Sequence, residues 1–366
     1  MTLKVAIVGC GKIADAHVEE IQKIPSARLV AACDSEPLMA EQLAVRYGIP
    51  AQYARFTSML EAEKPDVVHI ATPPGPHLAL ATEAMEAGCH VMVEKPLTLC
   101  LADSRALVDR AVRLGRKLTT GYRLLFDPPT LALRQMIRDG VIGDPVHLES
   151  HYGYDLGGPF GAAFLNNPNH WVHALPGKLF HNTIDHLINK LPEFIAEDDP
   201  QVVAQTYRYS RMSVKAEIPD ELRVMIRGGR TSAYATFSCH SKPVQHTFTL
   251  HGTKNTARVD YVSRTVTLAP DASLPSAIGR LIPPFGQARQ FWREGFRNVM
   301  RFARRDYHFF SGLNLLLRQF YESILTDGPP PIPYRDILWV AAVMEEIFQT
   351  MAAQPAAGTR AAEVTR

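Results

Sequence analysis

The sequence predicts a two-domain α/β protein, with a doubly wound parallel sheet first and a domain built on an antiparallel sheet after it. Three observations carry that reading. Up to residue 122, short and nearly continuous runs of Val, Ile and Ala alternate with helical patterns, as expected of strands buried on both faces. From about residue 144 the runs alternate apolar and polar residues, and Gly, Pro or Asn separate several of them. That pattern suits antiparallel strands with one wet or interface face. Finally, 366 residues suit two domains.

The first-domain strands are expected at 3–9, 29–34, 66–72, 90–95 and 117–122. Helical spacing falls between them, for example over Glu36–Tyr47, His77–Ala87 and Leu99–Leu114. In the second domain the strand candidates are 143–155, 201–210, 221–229, 231–240, 243–252 and 255–269, interrupted by a helix at about 176–190. A last helix, Tyr334–Met351, starts just after Pro333, where proline suits a helix start. The expected division is 1–122 for the nucleotide domain, 123–353 for a substrate and oligomerisation domain, and 354–366 for an Ala/Pro/Gly-rich flexible tail.

Composition narrows the function. A net charge of +2 gives no reason to expect nucleic acid as partner. No apolar stretch reaches the ~18 residues of a membrane helix, and the N-terminal apolar run Val5 to Val8 leads into a glycine turn rather than a leader cleavage site. A cytoplasmic protein is expected. The five cysteines (Cys10, Cys33, Cys89, Cys100, Cys239) are odd in number and lack C-x-x-C spacing, so free buried thiols are expected. No zinc-ligand spacing is present, and no metal is expected.

Two segments stand apart. Residues 153–178 are rich in Gly, Pro and Asn and carry Tyr154, Phe160, Phe164, His170, Trp171 and His173, which suits a loop covering a substrate. Residues 289–305 place Arg289, Arg293, Arg297, Arg301 and Arg305 at helical spacing, with Trp292, Phe296, Val299 and Ala303 on the apolar side. A solvated arginine face over a packed apolar face is the plain reading, and an anionic surface is the alternative partner.

The chemistry begins at Gly9-Cys10-Gly11-Lys12-Ile13-Ala14, where a strand runs into G-x-G-x-x-A and then a helix. Gly9 suits the tight turn, Gly11 lets the backbone approach a pyrophosphate, and Ala14 lets helix and strand pack closely. The pyrophosphate would sit on the helix N-terminus beside Lys12 and Ile13. Asp34 ends the next strand 20 residues beyond Ala14, in place to accept from the adenine ribose hydroxyls. A carboxylate there repels a 2′-phosphate, so NAD is expected over NADP. Ala71-Thr72-Pro73 leaves the sheet at its carboxyl edge, where such folds bind ligands, and His77 follows at a helix start. Lys95 follows an apolar strand and Glu94, and precedes Pro96; partial burial there suits proton transfer.

Together Gly9 to Ala14, Asp34, Ala71-Thr72-Pro73 with His77, Glu94-Lys95-Pro96, and Gly121-Tyr122-Arg123 with Phe126-Asp127-Pro128 resemble the Gfo/Idh/MocA family, the group of glucose-fructose oxidoreductase and inositol dehydrogenase. The resemblance spans nearly the whole chain. It implies a Rossmann domain followed by an α/β domain with an open, mostly antiparallel sheet. It also implies NAD(P)-dependent redox chemistry on sugars, cyclitols or nucleotide sugars, and dimers or tetramers through the open sheet face. By the same resemblance Lys95 contacts substrate and assists proton transfer, and Thr72, Pro73, His77, Glu94, Lys95 and Arg123 join the cofactor site. Tyr154 and Trp171 are candidate substrate contacts. The family's G-G-x-L-x-D-x-G-x-H element is replaced by Gly177 to His186, which sets His181 where Asp is usual and Asp185 where His is usual. The i, i+4 spacing puts both on one helical face as an acid/base pair. Two alternatives remain beside the dehydrogenase: an enzyme that retains NAD and oxidises transiently to cleave or epimerise, and a non-catalytic dinucleotide sensor.

Overall fold

The computed structural model describes residues 2–157, 161, 166–167, 169–208, 219–269 and 278–353. The chain divides into two compact units, Met1–Asp127 with His308–Ala342, and Pro128–Tyr307 with Val343–Arg366. Residues 308–342 thus return to the first unit, a discontinuity that a division by sequence position does not express.

In the first unit the strands are β1 (Leu3–Val8), β2 (Ala27–Cys33), β3 (Ala51–Tyr53), β4 (Val67–Ile70), β5 (His90–Val93) and β6 (Leu118–Thr120). They form a parallel sheet in the order β3-β2-β1-β4-β5-β6. The helices are α1 (Lys12–Gln22), α2 (Pro37–Tyr47), α3 (Phe56–Glu63), α4 (His77–Glu86) and α5 (Leu101–Arg113). β1, β4 and most of β2 and β5 are buried, which explains their unbroken Val/Ile/Ala composition. The strand order reverses between β1 and β4, the place where open α/β sheets bind ligands. β3 and α3 were not expected. β3 is a three-residue, half-exposed edge strand, too short to display a period.

The second sheet holds β7 (Pro145–Gly153), β8 (Gln201–Tyr207), β9 (Glu221–Arg227), β10 (Ser232–Ser238), β11 (Gln245–Gly252), β12 (Thr256–Asp260) and β13 (Thr265–Leu268). Their order is β13-β12-β11-β7-β10-β9-β8, with only the β7–β10 pair parallel. This is the mostly antiparallel sheet that the resemblance implied. Register lines up Ala204, Val224, Ala235, Ser150, Phe248 and Val259 across one face. All six are buried, and alternate residues face out, so the period-two pattern of the sequence is the burial pattern of the sheet. The helix expected at 176–190 is two short helices, α7 (Lys178–Thr183) and α8 (Asp185–Ile188). Ile184 between them keeps right-handed helical angles. α6 (Pro128–Arg138), α9 (Ile278–Leu281) and α10 (Pro283–Ala303) complete this unit.

The returning segment brings α11 (Ser311–Leu325) to the first unit, where it buries Leu313, Leu316, Leu317, Phe320 and Tyr321. Its start is fixed by Gly312, whose N–H donates to Asp127 Oδ1 at 2.9 Å. A Cβ on Gly312 would lie 2.3 Å from the Arg123 carbonyl oxygen and 2.5 Å from Asp127 Oδ1. The final helix, α12 (Tyr334–Ala353), places Tyr334 Oη to accept from the β6 N–H of Leu118 at 3.1 Å.

Gly312→Ala forces that contact open against backbone. Urea unfolding should show a loss of about 1–3 kcal/mol, the usual cost of overpacking a closed site. Wild-type stability in that variant would mean that α11 is not held at its first turn.

Candidate functional site

The nucleotide end of the first unit is a fitted cradle. Gly9 has φ +88°, and a Cβ there would lie 2.6 Å from Thr72 N and 2.7 Å from the Ala71 carbonyl carbon. Only glycine lets the end of β1 pass that close to the end of β4. Gly11, by contrast, has nothing within 4 Å of its Cβ position. It is the N-cap of α1 and gives no side-chain cap, so the start of this 11-residue helix is suited to an anion. The residues Gly9 to Ile13 therefore fit a pyrophosphate. Asp34 Oδ2 accepts from Cys10 N–H at 2.7 Å and Oδ1 from Glu36 N–H at 2.9 Å. Each carboxylate oxygen keeps acceptor capacity for a ribose hydroxyl. Thr72 Oγ1 is buried and has no hydrogen-bond partner among the described residues.

His77 is fully buried. Its Nε2 lies 3.0 Å from the Thr72 carbonyl, and its Nδ1 lies 3.0 Å from Pro96 O and 3.2 Å from Leu97 O. It therefore ties the loop after β4 to the loop after Lys95. Burial lowers its pKa, against the pull of those carbonyls. Arg123 is also engaged inside the unit. Its NH1 donates to the Phe309 carbonyl at 2.8 Å, its guanidinium lies 4.1 Å above the Phe309 ring, and Asp127 is 4.0 Å away.

Glu94 and Lys95 end a buried chain of hydrogen bonds that the sequence reading missed. Tyr321 Oη lies 2.8 Å from His69 Nε2, His69 Nδ1 lies 2.9 Å from His17 Nδ1, and His17 Nε2 lies 2.9 Å from Glu94 Oε1. Glu94 Oε2 then accepts from Lys95 N–H at 3.1 Å. His17, His69 and Tyr321 are all fully buried. Burial, and then the neighbouring His17, push His69 well below the ordinary histidine range. Burial likewise pushes Tyr321 well above the ordinary tyrosine range. Burial alone would raise Glu94, but the hydrogen bond from His17, then Lys95 through its charge and its backbone N–H, hold it below the usual value. One proton assignment then satisfies every atom: Tyr321 donates to His69, His69 Nδ1–H donates to His17, and His17 Nε2–H donates to ionised Glu94. The opposite direction would leave the Tyr321 hydroxyl proton without an acceptor. Gly121 keeps the carboxylate in place, since its Cβ would lie 2.7 Å from Glu94 Oε1. A histidine within the strand run Val67-Val68-His69-Ile70 was the available signal, because a buried imidazole needs partners.

In the second unit His181 is buried, stacked on Phe348 with ring centroids 4.6 Å apart, and its Nδ1 accepts from Gly177 N–H at 3.4 Å. In a neutral ring that bond places the proton on Nε2. Gly177 is required there, since a Cβ would lie 2.2 Å from Phe348. Asp185 is fully buried and accepts from His186 N–H at 2.8 Å. Its charge also faces Lys190, a buried lysine that was not singled out from sequence. Burial lowers that ammonium to about 7, while Asp185 pulls it back up. Lys190 donates to the His186 carbonyl and lies 5.3 Å from the Tyr261 ring centroid. Asn189, also buried, has both side-chain polar atoms without a hydrogen-bond partner among the described residues.

Tyr154 packs into an aromatic cluster, 5.2 Å from Tyr152 and 5.7 Å from Phe237, and burial raises its pKa. Trp171 is half-buried at the start of a short 3-10 helix, Trp171–Ala174, beside His170. Phe160 and Phe164 of the expected covering loop lie outside the described residues. Cys10, Cys33, Cys89 and Cys239 are buried free thiols, and Cys100 is half-buried and free.

Three imidazoles, two buried and one half-buried, set an acid limit. His69, His77 and His90 all titrate below the ordinary 6.5, His90 at about 4, because of burial. The unfolded chain takes up their protons first, so stability is full above about 6.5 and falls as pH drops toward the folded values. Each group should steepen the slope by up to about 1.4 kcal/mol per pH unit. Tyr321→Phe should cost about 1–3 kcal/mol, because His69 Nε2 loses its donor. Urea unfolding across acid pH checks both; a flat profile, or a silent Tyr321→Phe, would contradict the assigned chain.

Residues 3–122 match the model of the oxidoreductase family, NAD-binding Rossmann fold. Residues 130–258 match the GFO/IDH/MocA C-terminal domain. A D-glucoside 3-dehydrogenase of Escherichia coli (strain K12) is 38% identical over 143 residues, 39% of this chain and 41% of the relative. A glycosyl hydrolase family 109 protein of Shewanella amazonensis is 29% identical over 163 residues, 42% of this chain and 36% of the relative. The matches thus span about two-fifths of these curated relatives. A levoglucosan dehydrogenase solved with NADH and levoglucosan has a TM-score of 0.77 over 96% of this chain and 97% of that one. At 20% identity it shows the shared fold. With an NAD-binding Rossmann domain and the matching C-terminal domain following in order, the chain belongs to the Gfo/Idh/MocA oxidoreductase family.

Proposed function

We propose that the protein is an NAD-dependent oxidoreductase acting on a hydroxyl-bearing carbon of a sugar, cyclitol or nucleotide sugar. Bound NAD supplies or accepts the hydride. Gly9, Gly11, Lys12 and Ile13 hold the pyrophosphate, Asp34 takes the ribose hydroxyls, and Thr72 and Pro73 line the loop after β4. His77 and Arg123 serve by positioning, since their polar groups already bind loop carbonyls. Lys95 moves the proton of the substrate hydroxyl. The observation that carries this reading is the buried chain from Tyr321 to Glu94, because it fixes Lys95 to the same helix that opens the nucleotide cradle.

On the second unit, Tyr154, Trp171, His181 and Asp185 are the candidate substrate contacts. His181, whose Nδ1 accepts from Gly177, is a candidate contact to a substrate oxygen. Asp185 offsets the Lys190 charge and holds the segment in place. Chains pair through the outer face of the second sheet, where Val203, Met225 and Tyr234 form an exposed cross-strand row. The protein works in the cytoplasm. A second reading, transient oxidation by retained NAD, draws support from the similarity to a glycosyl hydrolase family 109 protein.

The test incubates the purified chain with NAD and a panel of sugars, cyclitols and nucleotide sugars, and follows absorbance of reduced nicotinamide. Net NADH supports the dehydrogenase, and turnover without net NADH supports the second reading. Lys95→Met should keep NAD binding and lower turnover roughly 10²–10⁴-fold. Asp34→Ala should weaken NAD and relax discrimination against NADP. Near-normal turnover in Lys95→Met would remove that lysine from the mechanism.

A further inference from the structure

One helix of the second unit is built inside out. α10 turns its polar side to the protein. Gln290 exchanges two hydrogen bonds with the end of β13, accepting from Leu268 N–H at 2.8 Å and donating to Leu268 O at 3.2 Å. Asn298 donates to the Ser263 carbonyl at 2.8 Å. Glu294 is the helix's one buried residue. Its apolar side faces out: Trp292 is 81% exposed, Phe285 76% and Phe302 72%, with Phe291, Phe296 and Val299 beside them. At about 100° per residue these six side chains span an arc of roughly 140°. The sequence expectation of a packed apolar face is therefore reversed here. The preceding α9 turn extends the surface with exposed Ile278, Leu281 and Ile282.

Charge decides what covers it. Residues 278–305 hold seven arginines, Arg280, Arg289, Arg293, Arg297, Arg301, Arg304 and Arg305, against one acid, Glu294. That single carboxylate is buried, accepts from Arg297 at 2.6 Å and lies 3.5 Å from Arg293 Nε, so one acid is set against seven arginines and the outward face carries net positive charge. Arg289 and Arg293 border the aromatic arc. An isologous contact with a second copy would set these arginine rows against each other. Aromatic side chains edged by arginines match the boundary between lipid headgroups and acyl chains, where phosphates meet apolar tails. A 21-residue helix lays about 30 Å along such a surface. No helix among the described residues is long and apolar enough to cross a membrane, so the contact is in-plane.

We propose that α10 docks the protein on an anionic bilayer, with its aromatic face in the headgroup boundary and its arginines on lipid phosphates. The full chain is mixed with vesicles of phosphatidylcholine alone or with phosphatidylglycerol, and bound protein is measured by sedimentation. The anionic vesicles should bind it at least tenfold better, and added salt should weaken binding. Trp292→Glu with Phe296→Glu should abolish it without changing the melting temperature, since both side chains are exposed. Arg289→Glu with Arg293→Glu should weaken it at least fivefold. Equal binding to both vesicle types, or binding retained by the aromatic double variant, overturns the proposal. So does an oligomer that the aromatic double variant dissociates while wild type ignores vesicles, which would assign the face to a second copy.

Discussion

The first unit depends on a line of direct side-chain hydrogen bonds. Tyr321, His69, His17 and Glu94 come from α11, β4, α1 and the end of β5, so one chain of protons joins four elements. Each imidazole uses one nitrogen as donor and the other as acceptor, and reversing the line orphans a buried proton. Buried polar networks are costly when half satisfied, so this one fixes its elements in a single arrangement. Its open end is the backbone N–H of Lys95. α1 holds His17 midway along its length and the glycine turn at its N-terminus, so cradle and lysine are set by one rigid piece. The returning segment matters for the same reason: without α11 the chain of donors has no first member.

Much of this fold was legible. Buried parallel strands need apolar residues on both faces, so Val5 to Val8 and Val67 to Ile70 announced themselves. The alternation in β7 to β13 told of a sheet covered on one side. The glycine motif was readable because Gly9 admits no Cβ, a backbone constraint that leaves its mark on sequence. β3 was not readable, because three residues carry no period. The return of 308–342 was not readable either, because nothing local in a chain records which sheet a later helix joins.

The candidate site was legible in kind more than in detail. Glu94 and Lys95 stood out as charges beside an apolar strand, yet their anchors His17 and His69 looked like isolated histidines. Spacing placed His181 and Asp185 one turn apart and could not show that Phe348 stacks on the first or that Lys190 faces the second. Spacing also found the amphipathic pattern of α10 but not its sense. A helical period states that two faces differ; which one meets solvent is decided by neighbours, here the β13 backbone that takes Gln290.

The central claim is that the line from Tyr321 to Glu94 is neutral at both imidazoles and runs in one direction. Nitrogen-15 NMR of histidine side chains in the whole protein reads tautomer and charge directly. At about neutral pH the account predicts two neutral rings, His69 protonated at Nδ1 and His17 at Nε2, both lost as separate signals in Tyr321→Phe. An imidazolium at His17, or His69 protonated at Nε2, would contradict it.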